Sequence, residues 1–154
     1  MTIVQLATKT TREADSSAPL LSDDFPHAQS VPPNEAWQWI QSRNALLVDV
    51  RTAEEREFVG YVPDSLHVPW AMGTALNRNP RFVRELEAKA GKNTSILLLC
   101  RSGKRSALAL EAALAAGFEQ VANIHEGFEG DLNPHGQRGH HNGWRFHGLP
   151  WRQG

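Results

Sequence analysis

The residues with the clearest chemistry are Cys100-Arg101-Ser102-Gly103-Lys104-Arg105-Ser106, where the chain's only cysteine is followed within five positions by three cations and a glycine. A thiol attacks as its thiolate, and a thiolate is stabilised by nearby cations and by the unpaired N–H groups of a helix start. The pattern points to a nucleophilic Cys100 in a loop made to hold an anion. Arg101, Lys104 and Arg105 are available to attract it, and the backbone of Gly103 with the hydroxyls of Ser102 and Ser106 is available to cradle it. A cysteine after Leu97-Leu98-Leu99 also suits an inert core position, since free cysteine is among the most buried residue types. Three cations and a glycine have no use around an inert thiol, so the reactive reading is preferred.

The flanking sequence supplies what must position such a loop. Ser95-Ile96-Leu97-Leu98-Leu99 suits a strand buried on both faces of a parallel sheet. The stretch from Ser106 to Ala116 is rich in helix formers, and Gly117 suits its end. Cys100 therefore falls at the carboxyl end of a strand, facing a helix N-terminus, which is the edge where open α/β sheets bind ligands. Asn34 is predicted to cap a helix over 35–41. Asn79 is predicted to cap another, with Pro80 in its first position, Phe82, Val83 and Leu86 on its apolar face and Gly91 at its end. Val121–Ile124 reads as a further strand, so strands and helices alternate as a parallel α/β sheet requires. Residues 1–30 mix Thr, Ser, Asp, Ala and Pro without sustained periodicity and read as a mobile tail, with Val4 and Leu6 as a stray strand. Deleting residues 1–29 is expected to leave folding and activity nearly unchanged.

At 154 residues and a formal net charge of −1, the chain is long enough for a substantial core and has no broad basic field for nucleic acid. No apolar run approaches the roughly 20 residues of a membrane span. Residues 1–21 lack the basic start and apolar centre of a signal peptide. One cysteine forms no internal disulfide, as a reducing compartment suggests, and a cytoplasmic location is expected, with neither nucleic acid nor membrane as a partner.

Loop length separates two chemistries. Tyrosine and dual-specificity phosphatases place five residues between the cysteine and the arginine that grips phosphate, whereas four separate Cys100 from Arg105 and Ser106 stands where that arginine belongs. The loop resembles that of the rhodanese family of sulfurtransferases, which often reads Cys-Arg-x-Gly-x-Arg-Ser. The likeness covers about residues 31–151. Leu46–Arg51 looks like the family's first core strand ending in Asp-x-Arg, followed by Glu54–Phe58 as a short helix. Gly60-Tyr61-Val62-Pro63-Asp64-Ser65 resembles the family's Gly-His-Ile-Pro-Gly-Ala, with Tyr61 and Asp64 as departures, and Glu126-Gly127-Phe128 and Gly148-Leu149-Pro150 fit its last segments.

The resemblance implies an α/β fold with an open parallel five-stranded sheet and helices on both faces, over residues 31–154. It implies a transferase in which Cys100 is the catalytic cysteine. That residue takes sulfane sulfur from thiosulfate or a related small anionic donor as a persulfide and passes it to cyanide, a thiol or a protein. Arg101, Ser102, Gly103, Lys104, Arg105 and Ser106 bind the donor, Asp49 and Arg51 brace the loop, and no metal or organic cofactor is needed. Two alternatives stay open: a noncatalytic rhodanese-type module that binds a partner, and a phosphatase or arsenate reductase of related fold.

Residues 131–147 read as an insertion holding His135, His140, His141 and His147 among Gly136, Gly139 and Gly143. No cysteine accompanies these histidines, and only His140 and His141 are close in sequence. A surface loop without tightly held metal, anchored by Trp144 and lying over the pocket, is expected. Trp70 and Met72 fit equally as core or as an apolar wall of the same entrance.

Overall fold

The five residues of β6 (Ser95–Leu99) are all buried, as their unbroken apolar run predicts. In the computed structural model, which describes residues 21–154, β6 is the centre of a parallel sheet. Five strands lie in the order β1 (Ser30–Val31), β7 (Gln120–Ile124), β6, β2 (Leu46–Asp49), β3 (Leu66–His67). Leu97 pairs with Leu47 on one side and Ala122 on the other. A separate antiparallel hairpin joins β4 (Ala71–Met72) to β5 (Asn77–Arg78). The helices are α1 (Pro33–Gln41), α2 (Ala53–Phe58), α3 (Phe82–Ala90) and α4 (Lys104–Ala115).

Because side chains alternate along a strand, the sheet feeds two apolar cores. Ile96, Leu98 and Cys100 pack with Phe82 and Leu86 of α3 and Ala109, Leu110 and Ala113 of α4. Leu97 and Leu99 pack on the other face with Ala36 of α1, Phe128 and Trp144. Cys100 thus belongs to the α3–α4 face, and its position follows from the period of the strand before it.

Several local expectations change. Helix α1 begins at Pro33, with Pro32 in the cap position and Asn34 inside the first turn. A proline there forgoes only an N–H that the first turn leaves unpaired. Asn79 does not cap α3 directly: its side chain accepts from Arg81 N–H at 3.0 Å in a turn ahead of the helix, and its Nδ2 donates to Pro69 O and Glu85 Oε1, each at 2.9 Å. Trp70 is core, edge-on to Phe82 with ring centroids 5.2 Å apart.

The largest correction concerns the expected tail. Residues 1–20, including Val4 and Leu6, lie outside the described residues, but residues 22–31 run along β7. Ala28 N–H donates to Val121 O at 2.8 Å, and Ser22 and Gln120 exchange two hydrogen bonds. Ser30 and Val31 form β1 beside Asn123 and Ile124, and Phe25 is buried edge-on against Trp39. A single phenylalanine and a two-residue strand leave no periodicity for a sequence window to detect.

Residues 131–147 contain no helix or strand. Trp144 anchors them as expected: it is fully buried, edge-on to Trp37, and its indole N–H donates to Pro150 O at 2.8 Å. Among the described residues no helix is long and apolar enough to cross a membrane, and no three His, Cys, Asp or Glu side chains gather as a metal-holding group.

Phe25→Ala is expected to lower stability by about 3 kcal/mol, as for other buried phenylalanines, measured by urea unfolding. A loss below about 1 kcal/mol would show that residues 22–31 add nothing to the core.

Candidate active site

The chain leaves β6 at Leu99 and enters α4 at Lys104, so Cys100 to Gly103 must turn within four residues. Gly103 makes this turn at φ +103°, a conformation that disfavours any side chain, and its N–H donates to Cys100 Sγ at 3.0 Å. Ser106 Oγ lies 3.2 Å from the same sulfur, from the first turn of α4. The loop's own carbonyls are held from behind. Phe128 N–H donates to Cys100 O at 2.7 Å, and Glu129 and Gly130 N–H donate to Arg101 O. Gly127 permits this contact: a Cβ there would fall 2.4 Å from the Arg101 carbonyl.

Asp49 and Arg51, placed by the end of β2, are both fully buried. Arg51 Nε and Nη2 donate to the Asp49 carboxylate, Nη2 also donates to Gly60 O at 2.6 Å, and Arg56 Nη1 reaches Asp49 Oδ2 at 3.0 Å. The Arg51 guanidinium lies 4.3 Å from the centroid of the Phe128 ring. Since Phe128 N–H holds Cys100 O, the ion pair touches the loop through one intermediate residue.

The three cations are not equivalent. Arg105 is locked in a bidentate pair with Glu55, Nη1 to Oε1 at 2.7 Å and Nη2 to Oε2 at 2.8 Å. Glu55 is fixed in turn because it completes the capping box of α2, where Thr52 N–H donates to Oε1 and Glu55 N–H to Thr52 Oγ1. Arg101 and Lys104 are exposed and have no carboxylate partner among the described residues. Ser102 is partly exposed between them. Arg101 and Arg105 line a cavity of 380 Å³ with Thr52, Glu54, Val59, Leu76 and Glu129, closed on one side by Gly73 and Thr74 of the β4–β5 hairpin. Neither Trp70, Met72 nor any histidine of residues 131–147 lines it. Two larger clefts, of 670 and 520 Å³, lie against α1 and share no residue with the loop.

Cys100 to Ser106 are thus brought together with Asp49 and Arg51 near one sheet edge. Two partners were missed from sequence, Glu55 and Asn123. Thr52-Ala53-Glu54-Glu55 is a readable capping box, and Asn123 is a polar residue inside a buried strand. Asn123 Oδ1 accepts from Ser106 Oγ, one residue removed from the sulfur.

Known proteins resemble this chain over most of its length. A family model described as the rhodanese-like domain matches residues 32–133. An uncharacterized protein of Rickettsia prowazekii is 36% identical over 117 residues, covering 73% of this chain and 87% of that protein. Thiosulfate sulfurtransferase 16, a chloroplastic protein of Arabidopsis thaliana, is 30% identical over 105 residues, 67% of this chain and 76% of its own. The crystal structure of Rv0390 from M. tuberculosis superposes with a TM-score of 0.76 at 38% identity, covering 83% of this chain and 99% of that one.

The Glu55–Arg105 pair makes a measurable claim. Burial pushes the Glu55 carboxyl up, but the Arg105 guanidinium and the Thr52 N–H outweigh it and hold the carboxyl at about 2, down from 4.5. The same pair raises Arg105. A depressed carboxyl contributes stability that is complete above pH 4.5 and is lost as pH falls toward about 2. Glu55→Gln is expected to cost about 1 kcal/mol at neutral pH, the shift discounted for the pair's partial exposure, and to flatten acid unfolding within that window. Equal acid profiles for wild type and variant would show that the pair adds no net stability.

Proposed function

Because the chain belongs to the rhodanese-like domain family, we propose that it is a cytoplasmic sulfurtransferase working through a Cys100 persulfide. The observation that carries the reading is the Cys100 sulfur at the start of α4, receiving the Gly103 N–H at 3.0 Å in a loop that carries two cations with no carboxylate partner among the described residues. A backbone donor directed at a buried sulfur stabilises negative charge there better than water would, since it needs no reorganisation. Relatives carrying the name thiosulfate sulfurtransferase add weight to it.

In the proposed reaction the Cys100 thiolate attacks the outer sulfur of thiosulfate or a similar donor. The new S–S bond forms as the donor's S–S bond breaks, and the electron pair leaves with sulfite. Arg101 and Lys104 draw the anionic donor in, the Ser106 hydroxyl faces the attacking thiolate, and Gly103 N–H and the Ser102 hydroxyl hold the charged intermediate. The acceptor, which is cyanide in an assay and a small thiol or a protein thiol in the cell, then attacks the outer sulfur and returns the pair to Sγ. Asp49 and Arg51 support the loop through Phe128. The chemistry draws on the thiolate and the donor's own sulfur and calls for no metal or organic cofactor.

Arg105 weighs against phosphate transfer, because its guanidinium is already engaged by both oxygens of Glu55. A module that only binds a partner has no use for a sulfur held by loop donors, and this loop keeps both cysteine and cations.

Thiosulfate without acceptor is expected to add about 32 mass units to the intact protein, and cyanide to remove them, as ordinary thiolate displacement requires. Cys100→Ser should show neither event while staying folded. Absence of the adduct, together with Cys100-dependent hydrolysis of an aryl phosphate, would replace this reading with the phosphatase one.

A further inference from the structure

Behind the nucleophile, a line of polar side chains crosses from the sheet edge to the sulfur. Asn123 sits inside β7 and is 3% exposed. Its Nδ2 donates to Ser30 Oγ at 3.1 Å and lies 3.5 Å from Gly103 O. A carbonyl only accepts, so this contact fixes the amide with Oδ1 turned toward α4, where it meets Ser106 Oγ. Ser106 Oγ is also 3.2 Å from Cys100 Sγ. A hydroxyl has one proton and an amide oxygen has none. The Ser106 proton therefore serves Asn123 or the sulfur, and not both at once.

We propose that Asn123 is a positioning residue for Cys100, holding the Ser106 hydroxyl proton while Sγ is uncharged and yielding it when Sγ becomes a thiolate. The part that concerns the persulfide rests on the sulfurtransferase reading. On loading, the charge on Sγ becomes the bonding pair of the new S–S bond, the donor's bond breaks onto sulfite, and the remaining negative charge lies on the outer sulfur. Sγ is then a weak acceptor, and the hydroxyl returns to Asn123. On discharge the acceptor takes the outer sulfur, the S–S pair falls back on Sγ, and the hydroxyl swings to meet it. No proton changes owner in either step. Asn123 thus favours the loaded protein over the thiolate, and its loss favours the thiolate.

The charged groups around the loop are Arg101, Lys104 and Arg105 on the loop and α4, Asp49 and Arg51 at the end of β2, Glu55 on α2, and His125, Glu126 and Glu129 after β7. All are retained in the variants below, so a shift in Cys100 reactivity reports the hydroxyl. The test follows thiolate formation by ultraviolet absorbance and by iodoacetamide alkylation across pH. Asn123→Leu should move the profile to lower pH and speed alkylation at neutral pH by about three- to tenfold, the order expected for one hydrogen bond. Ser106→Ala should move it to higher pH. The double variant should coincide with Ser106→Ala, because Asn123 acts only through the hydroxyl; additive effects would overturn the proposal, as would an unmoved profile in folded Asn123→Leu.

A second measurement needs no Asn123 variant. In the wild-type protein the Asn123 side-chain amide resonances should shift with the same pH midpoint as the thiolate absorbance, and the shift should be lost in Ser106→Ala. Resonances indifferent to Cys100 ionisation would overturn the proposal. With thiosulfate and sulfite at a fixed ratio, Asn123→Leu should also lower the ratio of persulfide to thiolate by about the factor by which alkylation rises; an unchanged ratio would overturn the persulfide part. The alkylation and resonance readouts require no sulfur donor, so they remain decisive even where thiosulfate fails to modify Cys100, a result that would remove the sulfurtransferase reading alone.

Discussion

Arg51 carries its charge where no solvent reaches it, and although its Nη1 has no hydrogen-bond partner, the contacts of its other atoms set the arrangement of the site. Removing a guanidinium from water costs several kcal/mol even after relaxation. Here Asp49 supplies both carboxylate oxygens, Gly60 a carbonyl and Phe128 a ring face. Those partners come from the end of β2, the turn before β3 and the segment after β7, so satisfying one side chain fixes three parts of the chain together. Phe128 then holds the Cys100 carbonyl through its own N–H. A buried ion pair often does no better for stability than apolar residues of equal volume, so what the pair supplies here is geometry.

The second determinant is Glu55. By closing the first turn of α2 and pairing with Arg105, it ties the helix after β2 to the helix after β6 across the cavity. It also takes one guanidinium out of competition for an incoming anion. The cavity wall therefore mixes Glu54, Glu55 and Glu129 with Arg101 and Arg105. Among the described residues, Arg101 and Lys104 are the loop cations without a carboxylate partner, and both are exposed.

The strand, loop and helix around Cys100 were legible because each obeys a local rule: an unbroken apolar run, a glycine at a left-handed turn, and a run of alanine and leucine. Asp49 and Arg51 were legible from their place at a strand end. What escaped is non-local. The Ser22–Val31 stretch is held by β7, about ninety residues further along the chain, and no local window contains that pairing. The cavity beside Arg101 and Arg105 is lined in part by Gly73, Thr74 and Leu76, which no motif singles out. Trp70 and the histidines of residues 131–147 drew attention by residue type, although type alone does not say which way a side chain faces.

The sheet places β1, near the beginning of the chain, against β7, near its end. During synthesis at about 5–20 residues per second, Ser30 emerges roughly 5–20 s before Asn123, its eventual neighbour. Only in about the last 0.4–1.6 s of that interval, between Ala115 and Asn123, does the nascent chain hold every residue of β6, the loop and α4 without the amide that Ser106 Oγ donates to. For that window the hydroxyl beside the sulfur lacks its second partner, and β7 supplies it on arrival.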